Sequence, residues 1–429
     1  MLSRYLLLSA AHLLASVLGF IGVKIIVEHF GSAGLGQTSL ALSLVGLALI
    51  VATGGTQLLA VRHLAAAPED VPALAGNVIA IRLALASATY LVLMAVCAAV
   101  PPLAEILPLT ALFALSLFVN AAHLSYVPQA FQQAGVLSAV QVATQGLYLL
   151  ALTGLLAVRA GLGTVALSKV AADLVVAAAL AGWVIVHYGR PRRPAATAQL
   201  CQLLTQAAPL AGTKLARALA QGSDLVVVSL FLDTAELGLY AGGVKIYLFL
   251  LSLATAYFVL LLPRLAERAE RPGDALRNEL AASLLRTVPP ALGGVALLAV
   301  FARPLLVFLF DESFAAAVPV VRLLGLSFLV NVVGRHFRQV LLARGRQDED
   351  LRRTLWAVGV HLVGKLVLTP LLGLVGAALG TLLGETVLTL ALGFAARREL
   401  RATATASTAS TPGLRSEALL VEDEPRSEP

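Results

Sequence analysis

The sequence predicts an all-α polytopic membrane protein, and three observations carry that prediction. Mean hydropathy is +0.88. Hydrophobic residues make up 59% of the chain and charged residues only 13%, where a soluble domain is roughly half apolar and about a quarter charged. Apolar runs of about 18 to 25 residues recur almost to the C-terminus, each long enough to cross a hydrocarbon core of about 30 Å. The short alternating segments of an outer-membrane barrel are missing, so the spans read as helices.

The spans fall at residues 5–27, 35–60, 76–99, 104–125, 136–158, 163–187, 205–231, 237–262, 284–302, 317–343, 355–370 and 374–394, about twelve in all. The N-terminal run has no small-residue cleavage site after it, so it reads as a first span and not as a removed signal peptide. With a cytoplasmic N-terminus, Arg4, Arg62, Arg190, Arg192, Arg193, Arg264, Arg268, Arg344, Arg346, Arg397 and Arg398 all fall on inside loops, whereas Arg159 and Arg303 fall outside. That asymmetry predicts both termini in the cytoplasm, and it accounts for the net charge of +7 without nucleic acid. Cys97 and Cys201 sit at opposite faces of the bilayer in this topology, which argues against a disulfide, and no Cys/His cluster suggests a metal. After Arg401 the chain turns to Ala/Thr/Ser and then to an acidic end, a composition that predicts a disordered cytoplasmic tail over 401–429.

The chain repeats itself. Ala33, Leu35, Gly36, Leu49, Ala52, Leu58, Leu59 and Arg62 recur as Ala235, Leu237, Gly238, Leu251, Ala254, Leu260, Leu261 and Arg264 at a constant offset of 202 positions. A parallel repeat of this kind predicts two pseudo-symmetric six-helix lobes related by an axis along the membrane normal, with a site between them. The lobes cover 1–190 and 205–400, joined by a basic cytoplasmic linker over 191–204.

Ionisable side chains inside spans cost about 2.5–3.5 kcal/mol each at mid-bilayer, so they should face an interior or a cavity. The cations are Lys24, Arg82, Lys169, Lys214, Arg217, Lys245, Arg322, Arg335, Arg338 and Lys365, and the anions only Asp173, Asp224 and Glu385. On span seven Lys214, Arg217, Gln221 and Asp224 share one helix face. Equal depth in an antiparallel hairpin pairs Asp224 with Lys245, as an ion pair or a coupling site; spacing pairs Lys169 with Asp173, and the last hairpin pairs Lys365 with Glu385. The positive surplus that remains suits an anionic, phosphate-bearing substrate, with Lys24, Lys214, Arg217, Arg335 and Arg82 as candidate ligands for a diphosphate. Snorkelling is the competing reading for Lys24, Arg82 and Arg338 near span ends. Gln141, Gln145 and Tyr148 line one face of span five and are candidate sugar contacts, with interhelical hydrogen bonding as the alternative. His12, His123 and His361 are scattered and read as structural. No P-loop, HExxH motif, paired intramembrane carboxylates or long loop supports catalysis or a cofactor.

His29 to Gly36, Gly55 to Ala65, Leu237 to Ile246, Leu262-Pro-Arg-Leu-Ala266 and Phe310-Asp-Glu-Ser-Phe314, in this order and spacing, resemble the Wzx-type polysaccharide flippases of the MOP exporter superfamily, and among them the lipid III flippases of enterobacterial common antigen. The resemblance runs over about residues 1 to 400 and implies a MATE-like fold in the bacterial inner membrane. It implies alternating access that carries an undecaprenyl-diphosphate-linked oligosaccharide from the cytoplasmic to the periplasmic leaflet, alongside glycan polymerase machinery. By position it carries a cavity role to Lys24, Lys214, Arg217, Asp224 and Lys245. Three rivals remain: a lipid II flippase and a multidrug exporter of the same superfamily, and, from another class, a membrane glycan polymerase or ligase.

Overall fold

The computed structural model describes residues 2–158, 161–222, 224–269 and 274–409. Among these residues the regular structure is entirely helical. Helix α1 (Leu2–Thr53) contains spans one and two, separated by Gly31 at φ 65°. It is followed by α2 (Thr56–Ala66) and α3 (Val71–Ala99). The fourth span is broken into α4 (Pro101–Ala104), α5 (Leu107–Ala114) and α6 (Ser116–Ala121), and α7 (Tyr126–Ala130) leads into α8 (Ala134–Leu156) and α9 (Gly163–Tyr188). The second lobe comprises α10 (Thr197–Gly222), α11 (Asp224–Val228), α12 (Thr234–Ala269), α13 (Ala275–Leu309), α14 (Val318–Ala343) and α15 (Gln347–Ala409). Helix α15 holds the last two spans, broken at Gly373 with φ 57°.

Span seven comprises α10 and α11, on either side of position 223, which lies outside the described residues. The expected segments therefore exist, with two differences in their ends. The linker is pinned: Arg192 N–H donates to Pro72 O at 2.8 Å and Ala195 N–H to Asn77 Oδ1 at 2.8 Å, and α10 already begins at Thr197. At the far end α15 continues to Ala409, through the start of the tail expected to be disordered; Ser410 onward lies outside the described residues.

Large apolar side chains cover the periphery, Val186 at 81% exposed and Trp356 at 75% among them. In water such a surface would be a liability; around helices this long and apolar it is the lipid-facing side of a multi-pass membrane protein. Buried residues of both lobes merge into one core, where Leu35 and Leu40 of α1 join Leu237 and Tyr240 of α12.

The repeat reappears as a reciprocal contact. A Cβ on Gly36 would lie 2.0 Å from the carbonyl oxygen of Thr234, and one on Gly238 would lie 1.8 Å from that of Ser32. Ser32 and Thr234 are themselves related by the 202 offset, so each lobe offers the same patch to the other, as a two-fold axis requires. Only glycine fits at either position. Near the other end of the second span Gly55 meets Ala207 and Ala211 just as tightly, a Cβ there falling 2.4 Å from Ala207 O.

Candidate functional site

Between these two seams the lobes part. One cavity of about 320 Å³ opens between α1, α8, α9 and α12, and a second of about 390 Å³ continues into the first lobe among α1, α6, α8 and α9. His12, Ser16, Gln145 and Lys169 line both. The shared wall is built by two helices in register. On α1, His12, Ser16 and Gly19 recur at helical spacing; on α8, Gln141, Gln145 and Tyr148 do the same. The amide of Gln141 donates to His12 Nδ1 at 2.6 Å. A Cβ on Gly19 would lie 3.4 Å from Gln145 Nε2, and one on Gly22 would lie 3.1 Å from the Tyr148 ring, so these glycines leave room for the polar face of α8.

Charge enters the wall from two helices. Lys169 and Asp173 of α9 form the expected close ion pair. Lys245 of α12 faces the first cavity half-buried, and among the described residues it has no hydrogen-bond or ion-pair partner. The two cavities thus carry two lysines against one carboxylate.

The expected Asp224–Lys245 pair does not form. Asp224, at the start of α11, is held by Lys365 and by His361, whose Nε2–H donates to Oδ1 at 2.6 Å, and the Tyr240 hydroxyl donates to Oδ2 at 3.0 Å. Equal depth was insufficient, because the last hairpin places two basic groups nearer to Asp224. Lys365 is consequently unavailable to Glu385, which instead accepts from Tyr247 OH at 3.1 Å and Asn331 Nδ2 at 2.9 Å.

The other proposed diphosphate ligands scatter. Lys24 Nζ donates to Phe308 O at 3.1 Å and sits 5.2 Å from the Phe308 ring, tying α1 to α13 outside the two cavities. Arg82 is 2% exposed inside the first lobe, with Nε donating to Thr56 Oγ1 at 2.8 Å, Nη1 to His123 O at 3.2 Å, and the Tyr126 ring 5.4 Å away. Arg335 Nη1 donates to Thr255 Oγ1 at 2.8 Å and stacks 5.7 Å from Phe258, also outside these cavities. The side chains of Lys214, Arg217 and Gln221 lie outside the described residues. The three histidines read as structural are placed as follows: His12 on the wall of both cavities, His123 on the wall of the second, and His361 against Asp224. The repeat held a signal for the first, since His12 is the counterpart of Lys214 at the 202 offset.

A sequence profile described as "Polysaccharide biosynthesis protein" matches residues 2–268, more than half of the chain. The chain belongs to this family. Solved structures resemble this polysaccharide biosynthesis protein over nearly its whole length. The inward-facing conformation of a multidrug-resistance MATE family transporter of the MOP superfamily aligns with TM-score 0.72 and 16% identity, covering 91% of this chain and 96% of that one. The lipid II flippase MurJ, in an inward closed conformation, aligns with TM-score 0.75 and 14% identity, covering 94% and 91%. A MOP superfamily transporter from Pyrococcus furiosus, described as having a binding pocket of reverse polarity, aligns with TM-score 0.62 and 15% identity, covering 93% and 96%. At such identities the likeness is one of fold. No curated protein matches the chain by sequence.

Proposed function

We propose that this polysaccharide biosynthesis protein is a flippase for an undecaprenyl-diphosphate-linked oligosaccharide, turning it from the cytoplasmic to the periplasmic leaflet of the bacterial inner membrane by alternating access. The observation that carries the reading is the unpaired ammonium of Lys245 across the cavity from uncharged hydrogen-bonding groups of α1 and α8. A cation kept half-buried without a carboxylate is costly unless an anion arrives to meet it. Amides, hydroxyls and an imidazole arrayed beside it offer donors and acceptors suited to sugar hydroxyls. In this reading Lys245 meets the diphosphate, helped by Lys214 and Arg217 of α10, while Gln141, Gln145 and Tyr148 meet the glycan. The prenyl chain stays in lipid, both termini are cytoplasmic, and a glycan polymerase acts on the product. Lobes 1–190 and 205–400 rock about the Gly36–Gly238 contact, which this orientation puts at the periplasmic end.

The test uses the purified protein in liposomes with a fluorescent undecaprenyl-diphosphate oligosaccharide, following its exposure to an impermeant quencher. Lys245→Ala lowers the flipping rate by about tenfold, equivalent to about 1.4 kcal/mol, while Lys245→Arg keeps most of it. Equal rates for wild type and Lys245→Ala sink the assignment. Lipid II shares the diphosphate, so a side-by-side rate on that substrate separates the two flippase readings. A cationic drug would meet like charge at Lys245, and efflux of a cationic dye at a rate comparable to glycolipid flipping would favour the exporter reading instead.

A further inference from the structure

The two cavities differ in charge, and the difference has a direction. In the first, the ammonium of Lys245 stands without a carboxylate among the described residues. In the second, the one lysine on the wall is already spent. Asp173 follows Lys169 by one turn of α9, and both oxygens of its carboxylate accept from Lys169 Nζ. The two side chains are 30% and 12% exposed, so the pair borders the cavity instead of being dispersed in water. The second cavity, of about 390 Å³, is of the size of small-molecule sites, about 300–1,000 Å³, and its lysine and carboxylate cancel.

What remains on that wall is neutral and has hydrogen-bonding capacity to spare. Gln141 donates to His12 Nδ1, which leaves the Nε2–H of a neutral imidazole for a ligand. Among the described residues the side chains of Asn120, His123 and Gln145 make no hydrogen bond. Arg82 adds no donor to this surface: it is 2% exposed behind the backbone of His123, with Nη1 on that carbonyl and Nη2 buried. A molecule that extends through both cavities, past the shared His12, Ser16 and Gln145, therefore meets an uncompensated cation at one end and uncharged donors and acceptors at the other. Hydroxyl and acetamido groups suit the second end. A sugar carboxylate does not, because it would meet the like charge of Asp173 and a lysine whose charge is taken.

We propose that the second cavity is a subsite for uncharged sugars and that Asp173 is the residue that excludes uronic acids, by holding Lys169 neutralised. The discrimination works through charge and not through shape, so Asp173→Asn, which keeps size and polarity, releases the Lys169 ammonium and opens the subsite to acidic sugars. The place of the subsite in a transport cycle rests on the flippase reading; its preference among sugars does not.

The probes are two fluorescent undecaprenyl-diphosphate disaccharides, alike except that each sugar carries a hydroxymethyl group in one and a carboxylate in the other. In liposomes the wild type is expected to flip the neutral glycolipid about tenfold faster than the acidic one. Asp173→Asn should bring the two rates within about twofold of each other, by raising the acidic rate. Adding Lys169→Gln to Asp173→Asn takes the released ammonium away, and the preference for the neutral glycolipid should return. Equal rates in the wild type, or an unchanged ratio in Asp173→Asn, overturn the proposal. A double variant that still accepts the acidic glycolipid overturns it too, since the ammonium would not be the cause. The two free disaccharides, without prenyl diphosphate, are then offered to the detergent-purified protein and followed by saturation-transfer NMR, where the same order of binding is expected. If the wild type flips neither glycolipid, the flippase reading fails and this binding decides the subsite alone. A neutral preference lost in Asp173→Asn upholds it, and equal contact or none overturns it.

Discussion

The polar wall of α1 and α8 and the Asp224 centre of the second lobe solve the same problem in opposite ways. Both put polar groups at membrane depth, where unsatisfied groups are expensive. On the wall, Gln145, Ser16 and Lys245 border a cavity and keep spare hydrogen-bonding capacity toward it. In the centre, both oxygens of Asp224 are committed to three donors, and Lys365 is fully enclosed. The lesson is that ionic density does not mark the substrate site. Charge is free to meet a ligand where pairing is incomplete, so in the proposed reading Lys245 is the group available to substrate and Asp224, already paired, is not.

The largest test removes the carboxylate. Asp224→Ala leaves Lys365 buried without its partner, which is expected to destabilise the detergent-purified protein by about 3–5 kcal/mol, read as a drop in thermal unfolding temperature. Adding Lys365→Met should recover most of that loss, since a well-packed apolar replacement of a buried pair is often neutral or stabilising. A single variant that melts like wild type would show that water already enters the centre, erasing its difference from the wall.

Next in size is the contact that sets the distance between the lobes. Gly36→Val drives a branched side chain into Thr234 O, already only 2.0 Å from a Cβ, and overpacking of this kind costs about 1–3 kcal/mol. The strain is relieved by parting the lobes. Cross-linking between Ser32→Cys and Thr234→Cys should therefore slow in the Gly36→Val background, and an unchanged rate would mean that the seam does not govern lobe separation.

Fold and site were not equally legible in the sequence. Helical spans announce themselves because lipid demands about twenty apolar residues in a row, and the repeat survived because Gly36 and Gly238 tolerate no side chain at the axis. Gln141, Gln145 and Tyr148 could be placed on one face by periodicity alone, and that face lines the two cavities between them. Partners were harder to see. Depth along a hairpin allowed Asp224 to reach Lys245, but it carries no information about the third helix that intervenes, and His361 and Lys365 lie more than a hundred positions away in sequence. Arg82 and Lys24 look like cavity cations by count. Their partners, Thr56 and the carbonyls of His123 and Phe308, are neutral groups that a tally of charges does not register.

On the wall itself the expected effects are smaller. Replacing Gln141 and Gln145 together by Ala removes two neutral hydrogen-bonding side chains, each worth about 0.5–1.5 kcal/mol. Glycolipid affinity should fall by roughly five- to a hundredfold, with little change in melting temperature because the groups border a cavity.

The smallest expected effect belongs to Lys24, and it discriminates most finely between counting cations and placing them. Its ammonium is occupied by the Phe308 carbonyl and lies over the Phe308 ring, an arrangement worth about 0.5–1 kcal/mol where partly exposed. Lys24→Ala should lower stability by about that much and leave the glycolipid affinity within about twofold, since it bears on the α1–α13 contact and not on the cavity. Lys245→Ala should do the reverse, costing affinity and sparing stability. If Lys24→Ala instead weakens diphosphate binding as strongly as Lys245→Ala, then the side chain leaves Phe308 when substrate arrives, and the positive surplus of the interior acts as a shared pool.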